Sequence, residues 1–492
     1  MNLSNLVFDV IVIGGGPAGS SLSTFVAKEG FNVLLLEKEK FPRYHIGESL
    51  LPVTVHGICD LLGVKDELDA FKKKGGGLFL WGNDQKPWTF DFDSLHAYQV
   101  ERADFDHLLL KNAQKHGVTV REEASVFQVE KGEELHTVYF KDTKGATQQV
   151  QCKYLADCSG GNSRIAKLVS EREYSKFFNN VAIWKYFDNC ADVPNHEGWI
   201  LNEAFDEGWF WFIPLSNGLL SVGLVVDHEL VKNQQPANLF EERLAASELF
   251  KKYFGTATPA KQAPYDQLRV CKDYSYCRQN FYKDRILLAG DAACFIDPVF
   301  SSGVHLATLS GYFGALSINS VLKQQLSPEE AFSEYEQRYF FEFKAFYEFL
   351  LSFYDSSQSR DSYFWQARKV LNSEDTANES EAFLSLITGI SSGVALDTES
   401  ENVKNYFSKF KGIGNIFRLR QEQRDDLLDE NSQLMQFYLE SRKYRKMQGD
   451  TILNIAKNHQ HKIEEDSIGK LIPAKNGFYW QKSEETLVSM SE

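Results

Sequence analysis

The sequence contains no long apolar run. Although 43% of its 492 residues are hydrophobic, no apolar stretch approaches the roughly 18 residues that a membrane-spanning helix needs. The first apolar strand, Val10 to Ile13, lies so close to Met1 that a signal peptide is not expected. We therefore expect a cytoplasmic protein that has no membrane partner.

Clustered cysteines are also absent. The seven cysteines are odd in number and scattered, and no C-x-x-C pair or zinc-type spacing occurs. Such a distribution favours reduced thiols over a disulfide framework, and it offers no metal site.

Basic residues are fewer than acidic ones. The sequence has 53 lysines and arginines and 68 aspartates and glutamates, so the net charge is −15. Without a basic stripe, nucleic acid is not an expected partner.

A glycine-rich turn follows the first strand. Gly14, Gly16 and Gly19 have the G-x-G-x-x-G spacing, and a helical pattern begins at Ser20. The first glycine permits a tight turn, the second lets the backbone approach a pyrophosphate, and the third lets helix pack on strand. The N-terminus of the helix would present free N–H groups to the phosphates. This pattern predicts a dinucleotide site.

An acidic residue ends the second strand. Residues 32–36 are apolar, and Glu37 follows them about twenty residues beyond the glycines, where a carboxylate can bind a ribose hydroxyl. Strand, turn, helix, second strand and acid are all present, which makes a glycine turn without a ligand the weaker interpretation.

Three segments of the dinucleotide type lie far apart, at 9–37, 154–164 and 285–303. Between them, residues from about 176 to 272 alternate apolar and polar, as expected for a mostly antiparallel sheet. The pattern predicts one sheet built from distant parts of the chain, with a β-rich domain inserted. The expected division is a dinucleotide-binding core at 1–175 with inserted strands at about 75–100, a β-rich substrate domain at 176–272, a return segment of the core at 273–326, and a helical C-terminal region at 327–492.

Local patterns predict further elements. Leu61 to Lys73 reads as a helix with a basic end, and Ser327-Pro-Glu-Glu330 is a capping box that opens a long helix. That helix carries an aromatic stripe, which is more often core than substrate pocket. Residues 371–405 read as a polar surface excursion, and residues 425–465 read as charged helix. The stripe consists of Phe332, Tyr335, Tyr339, Phe343, Phe346, Leu350 and Tyr354.

The glycine turn, the segment Val100-Glu-Arg-Ala-Asp-Phe-Asp106 and the segment Leu288-Ala-Gly-Asp-Ala-Ala293 resemble the FAD-dependent monooxygenase superfamily, which includes hydroxybenzoate hydroxylase-like proteins. The resemblance runs from residue 7 to about 330 and implies an α/β fold with a Rossmann-like FAD domain. It implies that Arg102 contacts the flavin, although an ordinary surface arginine is the alternative. It also implies that Asp291 binds the ribityl or pyrophosphate region. The other implied FAD contacts are Gly14, Gly16, Ala18, Gly19, Glu37, Gly47, Glu48, Ser49 and Pro298.

A sharper resemblance points to the flavin-dependent halogenases of the phenol and pyrrole type. Gly208-Trp-Phe-Trp-Phe-Ile-Pro214 fits the W-x-W-x-I-P signature of these enzymes. On a strand, Trp209, Trp211 and Ile213 share one face and form a bulky wall next to Pro214. Beside a flavin, such a wall could keep the substrate away from the isoalloxazine ring and so prevent direct oxygen transfer. The alternative is a core strand that is merely rich in tryptophan.

Lys74 carries the second part of the resemblance. Halogenases have a lysine just before a strand of this kind, and Lys74 stands five residues before Phe79. The resemblance implies that its amine holds hypohalous acid by a hydrogen bond or forms a haloamine. The alternative is a solvated basic helix end shared with Lys72 and Lys73.

The third part is Asp297-Pro-Val-Phe-Ser-Ser-Gly303. In the family, the backbone N–H groups that correspond to Ser302 and Gly303 help to bind halide, which suits a glycine at a helix start. Tryptophan halogenases have a glutamate just before the first serine, where this chain has Phe300. This difference favours an electron-rich phenol or pyrrole over tryptophan, and Phe300 suits an aromatic pocket.

Together these residues predict an FAD-dependent halogenase that uses reduced FAD, O2 and chloride, bromide or iodide. Its substrate would be a small aromatic ring, free or tethered to a carrier protein. Because no second dinucleotide fingerprint occurs, reduced FAD is expected from a separate flavin reductase. The alternatives are an FAD-dependent hydroxylase or epoxidase with direct oxygen transfer, and a non-catalytic flavoprotein. No residue stands out as the general base.

Overall fold

The structure is a computed structural model, and it describes residues 6–81, 87–92, 96–272, 275–354, 452, 455 and 471–482. In this part of the chain no helix is both long and apolar enough to cross a membrane. All seven cysteines lie within it, and none forms a disulfide.

The helices are α1 (Pro17–Lys28), α2 (Asp60–Leu62), α3 (Arg102–Lys115), α4 (His228–Asn233), α5 (Pro236–Ala246), α6 (Glu248–Phe254), α7 (Ser302–Leu322) and α8 (Pro328–Phe353). The strands are β1 (Val7–Ile13), β2 (Val33–Leu36), β3 (Lys72–Lys74), β4 (Gly76–Leu80), β5 (Pro87–Asp91), β6 (Ala97–Gln99), β7 (Thr119–Arg121), β8 (Ser125–Glu130), β9 (His136–Lys141), β10 (Thr147–Asp157), β11 (Arg172–Tyr174), β12 (Asn180–Asp188), β13 (Ile200–Phe205), β14 (Gly208–Pro214), β15 (Leu220–Asp227), β16 (Thr258–Pro259), β17 (Arg269–Lys272), β18 (Tyr276–Arg278), β19 (Tyr282–Lys283), β20 (Ile286–Leu288), β21 (Cys294–Phe295), β22 (Leu471–Pro473) and β23 (Trp480–Lys482).

The first large sheet joins distant parts of the chain in the order β19-β20-β10-β1-β2-β7. Its central pairs are parallel, with Val12 opposite both Ala156 and Leu35. The apolar runs of β1 and β2 are buried, as strands covered on both faces must be. The prediction that the three dinucleotide-type segments form one sheet is therefore confirmed.

Helices α1 and α7 lie against each other beside this sheet. The close approach depends on Gly311 of α7, because a Cβ atom there would come within 2.6 Å of the Ala18 carbonyl oxygen in α1. Almost the whole of α7 is buried, so its N-terminus is held firmly where the chain emerges from the Asp297–Gly303 segment.

The second large sheet has the order β16-β12-β15-β14-β13-β4-β5. All its strand pairs are antiparallel except β13 and β4. Through this pair, the inserted strands β4 and β5 (residues 76–80 and 87–91) extend the sheet. Alternation along β14 directs its side chains into two separate cores. Trp209 and Trp211 join the core of the first sheet, whereas Phe210 and Phe212 pack toward α5 and α6.

The C-terminal helix begins with the predicted capping box. The Ser327 hydroxyl accepts a hydrogen bond from the Glu330 N–H (3.2 Å), and the Ser327 N–H donates to the Glu330 carboxylate (3.0 Å). The stripe residues from Phe332 to Leu350 are buried, Tyr354 just beyond α8 is partly buried, and the Tyr335 hydroxyl donates to the Leu288 carbonyl of β20. The stripe is thus core, as the commoner interpretation of the sequence holds. The polar excursion at 371–405 and, apart from Ile452 and Ile455, the charged helix at 425–465 lie outside the described residues.

The prediction of a helix from Leu61 to Lys73 is wrong. A π-helical turn, Thr54–Cys59, leads into α2, which stops at Gly63 in the left-handed region (φ 78°). A short 3-10 turn, Asp66–Ala70, follows, and residues 72–74 then pair as a strand with β6. Pairing with residues 97–99 supplies the backbone hydrogen bonds of this segment, so the apolar spacing that suggested a helix does not decide its structure.

Candidate functional site

The glycine turn between β1 and α1 is shaped by backbone contacts. A Cβ atom on Gly14, whose φ is +103°, would lie 2.4 Å from the Cys158 carbonyl oxygen. One on Gly19 would lie 1.9 Å from the carbonyl oxygen of Gly14. Gly16 differs, because the nearest group there is the Arg43 guanidinium at 3.5 Å, and no side chain caps the helix that starts at Pro17. The turn leaves a cradle at the helix N-terminus, which fits a pyrophosphate.

Glu37 lies at the end of β2, as the pattern requires. Its carboxylate accepts hydrogen bonds from the N–H groups of Gly15 (2.6 Å) and Glu39 (2.8 Å). The acid therefore also holds the glycine turn in place. On the other side of the turn, Ala18 abuts Gly290, where an added Cβ atom would lie 3.0 Å from the Ala18 Cβ.

A buried cluster of two arginines and one aspartate borders the cradle. Arg102 Nε donates to Asp106 Oδ1 (2.7 Å), and Arg43 Nη1 donates to Asp106 Oδ2 (2.8 Å). Burial alone would raise the pKa of Asp106, but the two guanidinium groups hold it below its usual value. Arg102 is only 6% exposed, so it is not a surface arginine. Sequence reasoning missed Arg43 and Asp106; the available signal was a basic residue in the loop that follows Glu37.

Asp291 lies in the short turn Gly290–Ala292, directly after β20. Burial raises the pKa of its carboxyl to about 6, although Arg102 and Arg172 act in the opposite direction. Further along, Pro298 begins a second turn, in which the Asp297 carboxylate accepts from the Val299 N–H (3.1 Å). Both turns therefore belong to the loop region between β20 and α7.

The segment Gly47-Glu48-Ser49 contacts three different parts of the site. The Gly47 carbonyl accepts from Arg102 Nη1 (3.3 Å), and Glu48 Oε1 accepts from the Tyr186 hydroxyl (2.8 Å). Burial raises the pKa of Glu48 to about 7. The Ser49 hydroxyl accepts from Lys74 Nζ (2.8 Å). One tripeptide thus joins the arginine cluster to the lysine.

Lys74 is buried, with only 2% of its surface exposed. Besides the Ser49 hydroxyl, its ammonium contacts the Leu50 carbonyl (3.2 Å) and lies 5.5 Å from the centre of the Phe92 ring. Burial lowers the pKa of Lys74 to about 7. Its neighbours behave differently, because Lys72 pairs with Asp192 and the exposed Lys73 pairs with Asp69.

A narrow cavity brings Lys74 together with the start of α7. Ser301 adopts the left-handed conformation (φ 58°), and no side chain caps the helix that begins at Ser302. The N–H groups of Ser302 and Gly303 are in the first turn of a 21-residue helix, where N–H groups have no intrahelical acceptor, and this positive end of the helix is suited to an anion. The cavity is lined by Leu51, Lys74, Phe79, Phe90, Phe92, Ile200, Asn202, Val299, Phe300 and Ser301.

The tryptophan wall is fixed by hydrogen bonds as well as by packing. Trp209 Nε1 donates to the Tyr354 hydroxyl (2.6 Å), and Trp211 Nε1 donates to the Ser221 hydroxyl (3.2 Å). The two ring centres are 5.9 Å apart. Ile213 is also buried, and Pro214 ends the strand opposite Leu220.

Phe300 packs against the end of α8. Its ring centre lies 4.9 Å from that of Phe349 and 4.7 Å from that of Phe353. Phe353 in turn contacts Trp81, which lies 5.9 Å from Trp209, so aromatic contacts connect Phe300 to the wall. The last turn of α8 is a part of the site that sequence reasoning did not identify.

Comparisons with known proteins agree about the family. The sequence profile described as tryptophan halogenase matches residues 9–97 and 93–421. The tryptophan 2-halogenase of Chondromyces crocatus is 36% identical in an alignment 401 positions long, which covers 77% of this chain and 75% of that protein. Among solved structures, the myxobacterial chondrochloren halogenase CndH, a variant of the FAD-dependent halogenases, is similar with a TM-score of 0.70 and 48% identity, covering 78% of this chain and 90% of that one. The flavin-dependent halogenase CmlS is similar with a TM-score of 0.67 and 31% identity, and the match covers 82% of this chain and 77% of the CmlS chain. The chain therefore belongs to the tryptophan halogenase family and is an FAD-dependent halogenase.

Proposed function

We propose that this enzyme halogenates an electron-rich phenol- or pyrrole-like ring and that Lys74 presents the halogenating species. One observation carries the proposal. The Lys74 ammonium is buried in a cavity beside Phe300, and among the described residues no carboxylate forms an ion pair with it. A buried lysine without a counter-ion costs stability, and a catalytic role explains why the cost is tolerated.

The cofactor would be held by the first sheet and its loops. Its pyrophosphate would lie at Gly16 and the N-terminus of α1, within reach of Arg43 and Arg102. The turns at Asp291 and Pro298 would contact the remainder of the molecule. Reduced FAD, when bound, reacts with O2 and supplies the oxidant for halide.

The halide would bind at the N-terminus of α7. The N–H groups of Ser302 and Gly303 lack intrahelical acceptors, and they belong to the positive end of the helix dipole. Ser301 also lines the cavity that contains Lys74, so oxidised halogen formed near the helix end has a short path to the amine.

Lys74 can act in two ways. As an ammonium group it can donate a hydrogen bond to hypohalous acid; as a neutral amine it can react with that acid to form a haloamine and water. Because burial lowers the pKa of Lys74 to about 7, both protonation states are populated near neutral pH. The Ser49 hydroxyl and the Leu50 carbonyl fix the position of Nζ in either case.

The tryptophan wall supports separation of substrate and cofactor. Trp209, Trp211 and Ile213 are buried on one face of β14, toward the core of the first sheet. Both indole N–H groups are engaged, which restrains the rings. A substrate kept behind this wall would receive halogen from Lys74 rather than oxygen from the cofactor.

Phe300 supports a phenol or pyrrole as substrate. A carboxylate at this position would be buried between the rings of Phe349 and Phe353, whereas a phenylalanine packs there without penalty. A phenol or pyrrole ring is activated by its own hydroxyl or N–H group, so it has less need of a carboxylate. Such a ring could be free or tethered to a carrier protein. Tryptophan is the second candidate, because the relative from Chondromyces crocatus is named for it.

The test compares wild type with Lys74→Met and with Lys73→Met, a matched control on the neighbouring exposed lysine. Each protein receives reduced FAD, O2, bromide and either 3-methylphenol or tryptophan. We expect brominated phenol from wild type and Lys73→Met, and a loss of about 100-fold or more in Lys74→Met.

Other outcomes would contradict parts of the proposal. Bromination that persists in Lys74→Met removes the lysine from the mechanism. Hydroxylated product formed without bromide indicates direct oxygen transfer. Brominated tryptophan together with unchanged phenol favours the second candidate.

A further inference from the structure

Asn202 is a buried polar residue whose side chain forms no hydrogen bond with any residue that the structure describes. It lies in β13 and is 0% exposed, and neither its Oδ1 nor its Nδ2 has a partner among the described residues. The next residue shows the opposite behaviour. The Glu203 carboxylate accepts from the Ser247 hydroxyl and from the N–H groups at the start of α6. Both side chains are buried on opposite faces of the sheet, and of the two only the one on the α6 side is hydrogen-bonded among the described residues.

Asn202 lines the same cavity as Lys74 and Phe300. In the sheet it stands between Phe79 of β4 and Trp211 of β14, so its neighbours on both sides are aromatic. Leaving a buried amide unpaired costs roughly 1–3 kcal/mol, and leucine has nearly the same shape without that cost. An unpaired carboxamide that lines this cavity is available to a group that enters the cavity and completes its hydrogen bonds.

We propose that the Asn202 carboxamide is a specificity-determining residue that hydrogen-bonds the ring hydroxyl of the substrate; this rests on the proposed halogenation of a phenol-like ring. The amide can accept from a phenol through Oδ1 and donate to a phenolate through Nδ2, so it serves both forms of the hydroxyl. The free space of the cavity is about 10 Å³, enough for one water molecule, so Phe300 and the other rings would have to move apart to admit the substrate and then contact its apolar part.

The geometry makes Asn202 a determinant of regiochemistry. Asn202 and Lys74 lie on different strands, β13 and β3, and both line the cavity. A ring anchored by its hydroxyl at Asn202 presents a restricted set of carbons to the lysine. Without the anchor, the ring can rotate, and the positions attacked would follow intrinsic reactivity alone.

The test uses Asn202→Leu and a matched control, Asn112→Leu. Asn112 is also buried, but its Nδ2 donates to the Leu62 carbonyl (3.1 Å), away from the cavity. We expect Asn202→Leu to raise the melting temperature and Asn112→Leu to lower it, because only the second substitution breaks a hydrogen bond. This stability readout does not depend on activity.

The functional readout is the product mixture from 3-methylphenol and bromide, with free hypobromous acid in buffer as the reference. Wild type and Asn112→Leu should give a mixture that differs from the reference, and Asn202→Leu should give the reference mixture. The preference for 3-methylphenol over 3-methylanisole, measured as kcat/KM, should fall by about 10- to 100-fold in Asn202→Leu. If Asn202→Leu does not fold, Asn202→Ala should show the same losses, and Asn202→Ser, which keeps a polar group, should show smaller ones.

The failures are distinguishable. A wild type that brominates the phenol with the reference mixture, or an Asn202→Leu enzyme that keeps the wild-type mixture and preference, overturns the role of Asn202 and leaves the halogenation intact. A wild type that brominates no phenol overturns the proposed function itself.

Discussion

Lys74 is held where its charge is unfavourable. Burial lowers the pKa of this lysine from 10.5 to about 7, and the hydroxyl and carbonyl that it contacts do not offset the loss of water. Between about pH 7 and 10.5 the unfolded chain binds one more proton at this residue than the folded chain does. Stability must therefore rise with pH across this window, and the full penalty is present below it.

Replacing Lys74 by methionine should remove this penalty. We expect Lys74→Met to increase the free energy of unfolding at pH 7 by roughly 2–4 kcal/mol, with the gain fading as the pH approaches 10.5. Urea denaturation of the FAD-free protein at several pH values measures the effect. Lys73→Met should change stability little, because Lys73 is exposed. A Lys74→Met protein that is less stable at pH 7 would show that the ammonium makes favourable contacts.

At the scale of residues, the sequence names candidate side chains but does not define their environments. The resemblance to halogenases makes Lys74 a candidate, but its burial depends on Phe92 and on the Ser49 segment, which come from other parts of the chain. Asn202 carries no motif. Only the pairing of β13 with β4 and β14 places it beside the cavity, and that register cannot be read from local sequence.

The turn between β1 and α1 shows how one motif assigns different tasks to its glycines. Gly19 is constrained by the backbone of Gly14, whereas Gly16 faces an open cradle that only the Arg43 guanidinium approaches. A methyl group at Gly19 would therefore disrupt the turn, whereas a methyl group at Gly16 would occupy the space that we assign to the pyrophosphate.

We expect Gly19→Ala to yield an unstable protein, because its Cβ would lie 1.9 Å from a carbonyl oxygen and the backbone would have to move. Gly16→Ala should fold with a melting temperature close to that of wild type but bind FAD at least about 10-fold more weakly. Thermal denaturation and FAD titration separate the two effects. Equal FAD affinity in Gly16→Ala and wild type would contradict the assignment of the pyrophosphate to this cradle.

The tryptophan wall also depends on a glycine that has no motif. Trp211 stands opposite Gly223 of β15, and a Cβ atom on Gly223 would come within 1.9 Å of the indole ring. Because Gly223 has no side chain, the Trp211 indole can pack directly against its backbone. The W-x-W spacing predicts that the two indole rings share one face of the strand, whereas no local pattern indicates Gly223, because its contact with Trp211 is made between strands.

Gly223→Ala should displace the Trp211 ring and break its hydrogen bond to Ser221. We expect a loss of about 1–3 kcal/mol in stability and an altered near-ultraviolet circular dichroism spectrum. If the wall separates substrate from cofactor, this variant should also form hydroxylated phenol alongside brominated phenol. A spectrum and product pattern identical to those of wild type would show that the position of the Trp211 ring does not depend on Gly223.

At the scale of the whole molecule, two sheets and the two long helices α7 and α8 define the site. The first sheet could be predicted because strands that end in glycine or acid carry a recognisable pattern. The helix predicted at residues 61–73 failed because its partner strand, at 97–99, lies beyond the reach of any local pattern. Likewise, the end of α8 reaches Phe300 only through tertiary packing. The parts built from local signals were thus predictable, and the parts built from pairing between distant segments were not.

The single dinucleotide turn has a consequence for the supply of electrons. The G-x-G-x-x-G pattern occurs once in the sequence, and its cradle is the one we assign to FAD. We therefore expect the purified enzyme to form no brominated phenol from NADH, oxidised FAD, O2 and bromide. Adding an unrelated NADH-dependent flavin reductase should restore the product, and FAD reduced chemically should do so without any reductase. At saturating reduced FAD the rate should be the same for both sources, because reduced flavin would reach the cradle by diffusion. Consumption of NADH by the purified chain alone would show that it contains a nicotinamide site and reduces its own cofactor.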